Sequence, residues 1–164
     1  MTPPPSGPAS PPRLNVVLVE PEIPPNSGNI GRLCAATRSR LHFVGPLGFS
    51  LDDKSLKRAG LDYWPHLDWT TWPDLGALQA AQPGRYFYFT TKTSRSYTEV
   101  NYEPGDYLVF GKESKGLPEE LLQANAARCV TIPILHPGVR SLNLSTSAGV
   151  GVYEALRQIG FKGI

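Results

Sequence analysis

The chain has 164 residues, of which 40 % are hydrophobic, a length that suits one globular domain and is too short to include a second catalytic domain. Sixteen Lys and Arg residues against fourteen Asp and Glu residues give a formal net charge of +2, so the overall charge does not indicate a polyanionic partner. Any contact with nucleic acid must therefore come from local clusters of basic residues.

The first twelve residues, MTPPPSGPASPP, contain six of the seventeen prolines and show no apolar periodicity. This composition predicts a disordered or polyproline-like tail over residues 1–12. The helical and strand-like patterns begin at Arg13 and continue to the last residues. We therefore expect one folded domain over residues 13–164.

Three features bear on the cellular compartment. The start of the chain lacks the apolar stretch of a signal peptide, and no apolar run has the length of a membrane-spanning helix. Cys34 and Cys129 belong to no CxxC pair, so they signal neither a disulfide framework nor a zinc site. The sequence predicts a cytoplasmic protein without a membrane partner.

The first half of the domain alternates between strand and helix patterns. LNVVLVE predicts a strand, and LHFV predicts a second one. Between them, apolar residues recur at the spacing of one helix face: Ile30, Leu33, Cys34 and Thr37. Strand, helix and strand in this order indicate a parallel sheet.

The rest of the chain continues the alternation. DDKSLKRAG predicts a short basic helix or turn, PDLGALQAAQ predicts a helix, and RYFYFT, DYLVF and CVTIPI predict three strands. Pro118 is expected to open a short helix with acidic residues in its first turn, and a last helix is predicted from about Ser145 to Gln158. The fold class is therefore α/β, a mostly parallel sheet of about five or six strands with helices on both faces.

A parallel α/β sheet binds its ligand beyond the carboxyl ends of its strands, and several familiar fingerprints are absent from this sequence. No GxGxxG follows the first strand, and no HExxH or GxSxG occurs. GDYLVFGKE has one residue too many for a phosphate-binding loop, and Glu113 stands where Ser or Thr would bind magnesium. A nicotinamide dinucleotide site, an ordinary Rossmann methyltransferase site and a P-loop are not supported.

Three loops of unusual composition remain: PPNSGNIGR, FGKESKGLP and HPGVRSLNLSTSAGVGVYEAL. In the second, Gly111 and Gly116 allow positive φ and a close approach of the backbone to a ligand. The alternative is a tight turn that caps the next helix. In the third, small hydrogen-bonding side chains lead into a helix, and the alternative is an ordinary N-cap cluster.

Taken together, the motifs NxGNIxR, FGxExxGLP and RSLNLSxSxxVxxYEA resemble the SPOUT class of S-adenosylmethionine-dependent RNA 2′-O-ribose methyltransferases. Within that class the chain is most similar to the short, single-domain subfamily that acts on the wobble nucleotide of tRNA. The resemblance extends from about Leu14 to Gly160. It implies an α/β knot, with a deep trefoil knot in the C-terminal half, although generic rules of topology would predict an unknotted sheet.

The resemblance also implies the site residues. S-adenosylmethionine, the methyl donor, is expected to lie among Phe89, Thr90, Thr91, Gly111, Glu113, Gly116, Ile132, Ser141 and Leu142. Arg32 is expected to hold the adjacent RNA phosphate and to favour the developing alkoxide, because a guanidinium stays protonated and cannot act as a base. Asn26 and Asn143 are expected to position the reacting groups, and no metal is required. Without the motif, Arg32 would be interpreted as an ordinary solvated helix residue.

The same interpretation assigns roles to the residues of the first loop, PPNSGNIGR. Pro24 and Pro25 are expected to stiffen the exit from the first strand, Asn26 or Ser27 to cap the helix, and Gly28 to let RNA approach. The helix N-terminus would itself favour a phosphate.

RNA contact is expected at local basic clusters, although such clusters are often only solvated surface. One cluster is Lys54, Lys57 and Arg58, a second is Arg38 and Arg40, and a third, beside the donor loops, is Lys92, Arg95, Lys112 and Lys115. Small residues in the last helix allow close helix approach, and the resemblance implies a homodimer built from the first and last helices. The function that it implies is 2′-O-methylation of cytidine or modified uridine 34 in the anticodon loop of leucine tRNAs. The alternatives are another tRNA position, ribosomal RNA, or a non-catalytic module that binds RNA or nucleotides.

Overall fold

The computed structural model describes residues 13–51 and 62–161. The proline-rich tail lies outside these residues. So do the predicted basic helix or turn of DDKSLKRAG and its candidate RNA-binding residues Lys54, Lys57 and Arg58.

The described residues form a six-stranded sheet in which every neighbouring pair of strands is parallel. The strands are β1 (Asn15–Val19), β2 (Arg40–Val44), β3 (Trp69–Trp72), β4 (Tyr86–Phe89), β5 (Tyr107–Phe110) and β6 (Cys129–Val130). Their order across the sheet is β3-β2-β1-β5-β4-β6. All five residues of the central strand β1 are buried, because strands flank it on both sides and helices cover both of its faces.

Within the described ranges, four α-helices cover the sheet: α1 (Pro24–Thr37), α2 (Leu75–Ala81), α3 (Glu119–Ala124) and α4 (Leu144–Ile159). Successive residues of β1 enter two separate apolar layers, as expected for a strand that is buried on both faces. One layer contains residues of α1 and α4, and the other contains Leu78 of α2 and Leu122 of α3. The prediction of a parallel sheet with helices on both faces is confirmed. None of these helices has the length and apolar character needed to cross a bilayer.

Several of the predicted strands and helices differ from those in the structure. CVTIPI forms a strand only at Cys129–Val130, because β4 ends at Phe89 and Thr131 pairs only through an isolated bridge to Ser96. The edge strand β3 was not predicted, since WTTW is short and lies between irregular segments. Pro118 precedes α3 as its N-cap residue, so the helix begins one residue later than expected.

A buried polar network joins β1, β2 and β3. The Nε2–H of His42 donates to Asn15 Oδ1 (2.9 Å), and Trp72 Nε1–H donates to His42 Nδ1 (3.0 Å). Burial and the charge of Arg40 lower the pKa of His42 to about 3. This histidine is therefore neutral and structural, and it is not a candidate for acid–base catalysis at neutral pH.

The order of the strands also fixes where a ligand can bind. From β1 the chain proceeds through β2 to β3 at one edge, whereas β5, β4 and β6 extend from β1 towards the other edge. The direction therefore changes between β1 and β5, and the crevice beyond their carboxyl ends is the expected binding position in such sheets.

Candidate active site

A cavity of about 460 Å³ lies at the carboxyl ends of β4, β5 and β6. Its walls come from the loop after each of these strands, from the segment that leads into α4, and from Ile23 and Asn26 at the start of α1. The cavity thus contains parts of all three loops that the sequence singled out.

The residues predicted to surround the methyl donor all line this cavity: Phe89, Thr90, Thr91, Gly111, Glu113, Gly116, Ile132, Ser141 and Leu142. They come from four separate segments of the chain. The structure thus brings the predicted donor residues together at one place, while the contacts that each makes with a donor stay a prediction.

The two glycines of the β5–α3 loop have different roles. Gly116 has a φ of 68°, in the left-handed region, as the sequence predicted. Gly111 does not lie in that region, and this part of the prediction was wrong. A Cβ atom at Gly111 would lie 2.1 Å from the carbonyl carbon of Gly116 and 2.3 Å from the nitrogen of Leu117. Gly111 is therefore required for a close approach within the loop itself.

The N-terminus of α1 is capped from another part of the chain. Ile23 is the N-cap residue, and its side chain cannot accept a hydrogen bond. Instead, the Glu113 carboxylate accepts from the backbone N–H of Glu22 (2.8 Å) and of Ile23 (2.8 Å), and from Asn26 Nδ2 (3.2 Å). The anionic side chain lies where the helix dipole favours it.

This contact corrects the prediction that Asn26 or Ser27 would cap α1. Both residues lie inside the helix, because Pro24 and Pro25 form its first turn. Proline fits this position, since the first helical N–H groups have no partner within the helix. Sequence reasoning missed the cap because Glu113 and Ile23 are 90 residues apart.

Asn143 connects the third loop to the first. Its Nδ2 donates to Asn26 Oδ1 (3.1 Å), and its Oδ1 accepts from the backbone N–H of Ser145 (2.9 Å) and of Thr146 (3.3 Å). Asn143 is therefore the N-cap of α4, as the alternative interpretation held, and it also lines the cavity. Glu113, Asn26 and Asn143 form a continuous chain of hydrogen bonds through the three loops.

Arg32 lies outside the lining of the cavity, on the exposed side of α1. Its Nη2 is 3.4 Å from Asp62 Oδ1, and its guanidinium lies 5.6 Å from the centre of the Tyr63 ring. Burial raises the pKa of Tyr63 to about 12, so its hydroxyl keeps its proton and donates to the carbonyl of Gly28. Gly28 is buried in the helix, so the expectation that RNA approaches the backbone there was wrong.

Among the described residues, basic side chains gather at the cavity: Lys92, Lys112, Lys115 and Arg140. Lys92 also lies 3.5 Å from a carboxylate oxygen of Glu119, and both of these side chains are more than half exposed. Arg38, another predicted RNA contact, is exposed at the C-cap of α1. Arg140 was not predicted as a site residue, although it is the first residue of the motif RSLNLSxSxxVxxYEA, which was a signal that could have indicated it.

Within residues 13–51 and 62–161, no group of three or more His, Cys, Asp or Glu side chains is arranged to hold a metal ion. The polar groups of the cavity are backbone amides and carbonyls, hydroxyls, side-chain amides and a few charged groups. Such a lining suits an organic ligand that carries both apolar and hydrogen-bonding parts.

Comparison with known proteins identifies the family. The profile of the family described as "SpoU rRNA Methylase family" matches residues 13–153. The chain belongs to the SpoU methylase family. This membership confirms the resemblance found in the sequence, and it implies the C-terminal knot predicted above.

Two similar proteins align with this SpoU family member over nearly its whole length. The tRNA (cytidine(34)-2′-O)-methyltransferase of Escherichia coli strain K12 is 51 % identical over 152 residues, which cover 92 % of this chain and 96 % of that protein. A solved structure described as "Structural insights into the 2-OH methylation of C/U34 on tRNA" is 47 % identical, with a TM-score of 0.85, and the match covers 91 % of this chain and 97 % of that one.

A more distant solved structure shares the fold. It is the SpoU methyltransferase AviRb from Streptomyces viridochromogenes in complex with the cofactor AdoMet. It is 23 % identical with a TM-score of 0.78, and the match covers 92 % of this chain and 62 % of AviRb.

Proposed function

We propose that this SpoU family member is a tRNA 2′-O-ribose methyltransferase. It transfers the methyl group of S-adenosylmethionine to the wobble nucleotide, cytidine or modified uridine 34. The main observation behind this proposal is that every residue predicted for the donor lines one cavity. The chain that contains this cavity is about half identical to a tRNA (cytidine(34)-2′-O)-methyltransferase over nearly the full length of both proteins.

The cavity fits the proposed donor in size and chemistry. Its volume of about 460 Å³ falls within the usual range of small-molecule sites. Ile132 and Leu142 offer apolar contact to a purine ring, whereas Thr90, Thr91 and Ser141 offer hydroxyls to a ribose and an amino acid moiety. The backbone of the β5–α3 loop adds further donors and acceptors.

The chain's own residues would position the reacting groups. When bound, S-adenosylmethionine would supply the methyl carbon to the ribose 2′-oxygen, with the carbon–sulfur bond broken, the thioether S-adenosylhomocysteine released and the hydroxyl proton lost. Asn26 and Asn143 fix the mutual placement of the loops around that carbon, since each bonds to the other. Arg32, which lies outside the cavity lining, would hold the RNA phosphate and favour negative charge on the 2′-oxygen.

RNA would approach the open side of the cavity. Lys92, Lys112, Lys115 and Arg140 provide positive charge at its wall, and Arg38, Lys54, Lys57 and Arg58 are proposed as further contacts. A single domain of this size suits a single-stranded loop with splayed bases, such as an anticodon loop. Leucine tRNAs are the proposed substrates, and the cytoplasm is the proposed compartment because tRNA is the substrate.

A homodimer is proposed through α1 and α4, which pack against each other on one face of the sheet. Large apolar side chains are exposed at the start of α1 and along the end of α4: Ile23 (45 %), Tyr153 (49 %) and Phe161 (53 %). Tyr153 and Phe161 lie with their ring centres 6.4 Å apart, which forms a small aromatic patch. Exposed apolar patches of this kind are typical of interaction surfaces.

The enzyme proposal is tested by methyl incorporation from labelled S-adenosylmethionine into bulk tRNA that lacks the modification. We expect incorporation into tRNA and none into purified ribosomal RNA. Incorporation into ribosomal RNA alone would favour the ribosomal alternative. Tight RNA binding without incorporation would favour the non-catalytic binding module.

A further inference from the structure

The β1–α1 and β5–α3 loops bond to each other in both directions. The Glu22 carboxylate accepts from the backbone N–H of Ser114 (2.9 Å) and from its hydroxyl (2.7 Å). In return, Glu113 accepts from the backbone N–H of Glu22 and of Ile23. Two adjacent residues of one loop, Glu22 and Ile23, are thus hydrogen-bonded to two adjacent residues of the other, Glu113 and Ser114. We refer to the contact between Glu22 and Ser114 as the loop bridge.

The sheet explains why such a bridge is needed. β1 and β5 are parallel neighbours, with Leu18 opposite Phe110, so their loops leave the same edge side by side. The loops then diverge, since β1 leads to α1 on one face whereas β5 leads to α3 on the other. Cross-loop bonds therefore fix how far apart the two loops stand at the mouth of the cavity.

The charge state of Glu22 strengthens the bridge. The hydrogen bond from the Ser114 side chain, and then that from its backbone, lower the pKa of the Glu22 carboxyl, and Lys112 and Lys115 contribute in the same direction. The carboxylate is therefore ionised at neutral pH. Hydrogen bonds to an ionised acceptor are shorter and stronger than neutral ones.

Glu22 is not among the residues that line the cavity, whereas its partners are. Ser114 and Glu113 both contribute to the wall, and Glu113 also holds Asn26 and the N-terminus of α1, the helix that carries Arg32. A shift of the β5–α3 loop would therefore change the donor cavity and the start of α1 together.

We propose that Glu22 is a positioning residue, which acts through Ser114 and Glu113 to set the donor cavity and the helix of Arg32 relative to each other. This inference rests on the proposed function. Its consequence is that loss of the bridge weakens donor binding and slows methyl transfer together, although Glu22 does not line the donor cavity.

The test uses the full-length protein and isothermal titration calorimetry with S-adenosylmethionine, beside steady-state methyl transfer to tRNA. Glu22→Ala is expected to raise the donor Kd about tenfold and to lower kcat about tenfold, because charge-assisted hydrogen bonds of this type are lost. Glu22→Gln keeps an acceptor oxygen and is expected to lose less in both quantities. Glu120→Ala, an exposed glutamate in the first turn of α3 and outside the cavity lining, is the matched control.

A double-mutant cycle distinguishes positioning from general destabilisation. Ser114→Ala removes the hydroxyl partner, and Ser114→Thr restores it. Because both side chains act through the same bonds, Glu22→Ala combined with Ser114→Ala should bind the donor no more weakly than Glu22→Ala alone. We expect Ser114→Thr to bind the donor more tightly than Ser114→Ala does. The melting temperatures of the variants should not follow the same order as their donor Kd values.

Two results would overturn the inference, and they differ from each other. If the wild-type protein binds the donor while Glu22→Ala binds it equally well and has the same kcat, the positioning role is wrong and the proposed function stands. If the wild-type protein shows neither donor binding nor methyl transfer, the proposed function fails and the inference fails with it.

Discussion

Arg32 lies on the exposed side of α1, where a carboxylate and an aromatic ring hold its guanidinium. Its contact with Asp62 is an exposed ion pair, since the two side chains are 59 % and 82 % exposed. Such a pair contributes roughly 0–1 kcal/mol, so a phosphate group can replace the carboxylate at little cost. The ring of Tyr63, fixed by its hydrogen bond to Gly28, keeps the guanidinium near this position.

Arg32→Ala should therefore separate donor binding from methyl transfer. We expect the donor Kd to stay within about twofold and kcat/KM for tRNA to fall about a hundredfold or more, since the variant lacks the group that we propose to stabilise developing charge. Arg32→Lys should also fail, because a point charge does not reproduce the guanidinium fork. Calorimetry and labelled-methyl transfer measure the two quantities. If Arg32→Ala methylated tRNA at the wild-type rate, Arg32 would be interpreted as an ordinary solvated residue of α1.

His42 gives the protein a predictable acid sensitivity. Its pKa in the folded state is about 3, below the 6.5 of an unperturbed histidine, so the unfolded chain binds the proton first as the pH falls. The contribution of His42 to the free energy of unfolding should decrease by about 1.4 kcal/mol per pH unit between roughly pH 6.5 and 3, and His42 contributes no pH dependence above 6.5. Urea denaturation at pH 7.5, 5.5 and 4.5 measures this slope.

His42→Phe is the matched variant for this measurement. It is less stable at pH 7.5, because Asn15 Oδ1 and Trp72 Nε1 lose their partner. Its stability should nevertheless change less between pH 6.5 and 4.5 than that of the wild type. An equal slope in both proteins would assign the acid sensitivity to other groups.

At the scale of elements, the sequence predicted what periodicity and local motifs encode. The alternation of β1, α1 and β2, the buried β4 and β5, and the amphipathic α4 follow from residue spacing within each segment. The cap of α1 could not be predicted in this way, because NSGN looks like a local cap while the acceptor is Glu113 in another loop. The short edge strand β3 was missed because its pairing with β2, not its composition, defines it.

The candidate site was predicted more fully than the local geometry that builds it. The family resemblance named nine residues for the donor site, and all nine line the cavity. The resemblance did not reveal that Gly111 serves contact within its own loop, or that Asn26 and Glu113 bond to each other. The first depends on the detailed conformation of the loop, and the second joins segments 87 residues apart. Single-sequence patterns carry no information about either.

Glu113→Ala should reveal the distant cap of α1. The substitution leaves two backbone N–H groups and the Asn26 amide without their acceptor, so we expect the free energy of unfolding to fall by about 1–3 kcal/mol. Donor binding should weaken in the same variant, because Glu113 also lines the cavity. Chemical denaturation measures the first effect, with Glu120→Ala as the control. Equal stability of Glu113→Ala and wild type would contradict this role of Glu113.

At the scale of the whole molecule, the cavity and the proposed dimer face occupy different parts of the protein. The cavity lies beyond the carboxyl ends of β4, β5 and β6, while α1 and α4 form the proposed dimer face. The two regions meet at the start of α1, where Ile23 both lines the cavity and is exposed. A dimer that formed through α1 and α4 would therefore lie beside the cavity, and it would leave α2 and α3 on the other face of the sheet uncovered.

Tyr153→Lys should weaken the proposed dimer. The substitution puts a charge into the exposed aromatic patch and removes an anchor of the kind that often dominates interfaces, so we expect the dimer Kd to rise at least about tenfold. Sedimentation equilibrium measures this change. Gln123→Lys, at an exposed position of α3 in the other layer, should leave the association unchanged. A wild-type protein that sediments as a monomer would contradict the proposed interface.

One experiment shows most directly whether this SpoU family member methylates the wobble ribose. Purified protein is incubated with S-adenosylmethionine and unmodified leucine tRNA, and the tRNA is then analysed by nuclease digestion and mass spectrometry. We expect one added methyl group, on the 2′-oxygen of nucleotide 34, with none elsewhere in the molecule. A methyl group at another position with nucleotide 34 unmodified would contradict this expectation.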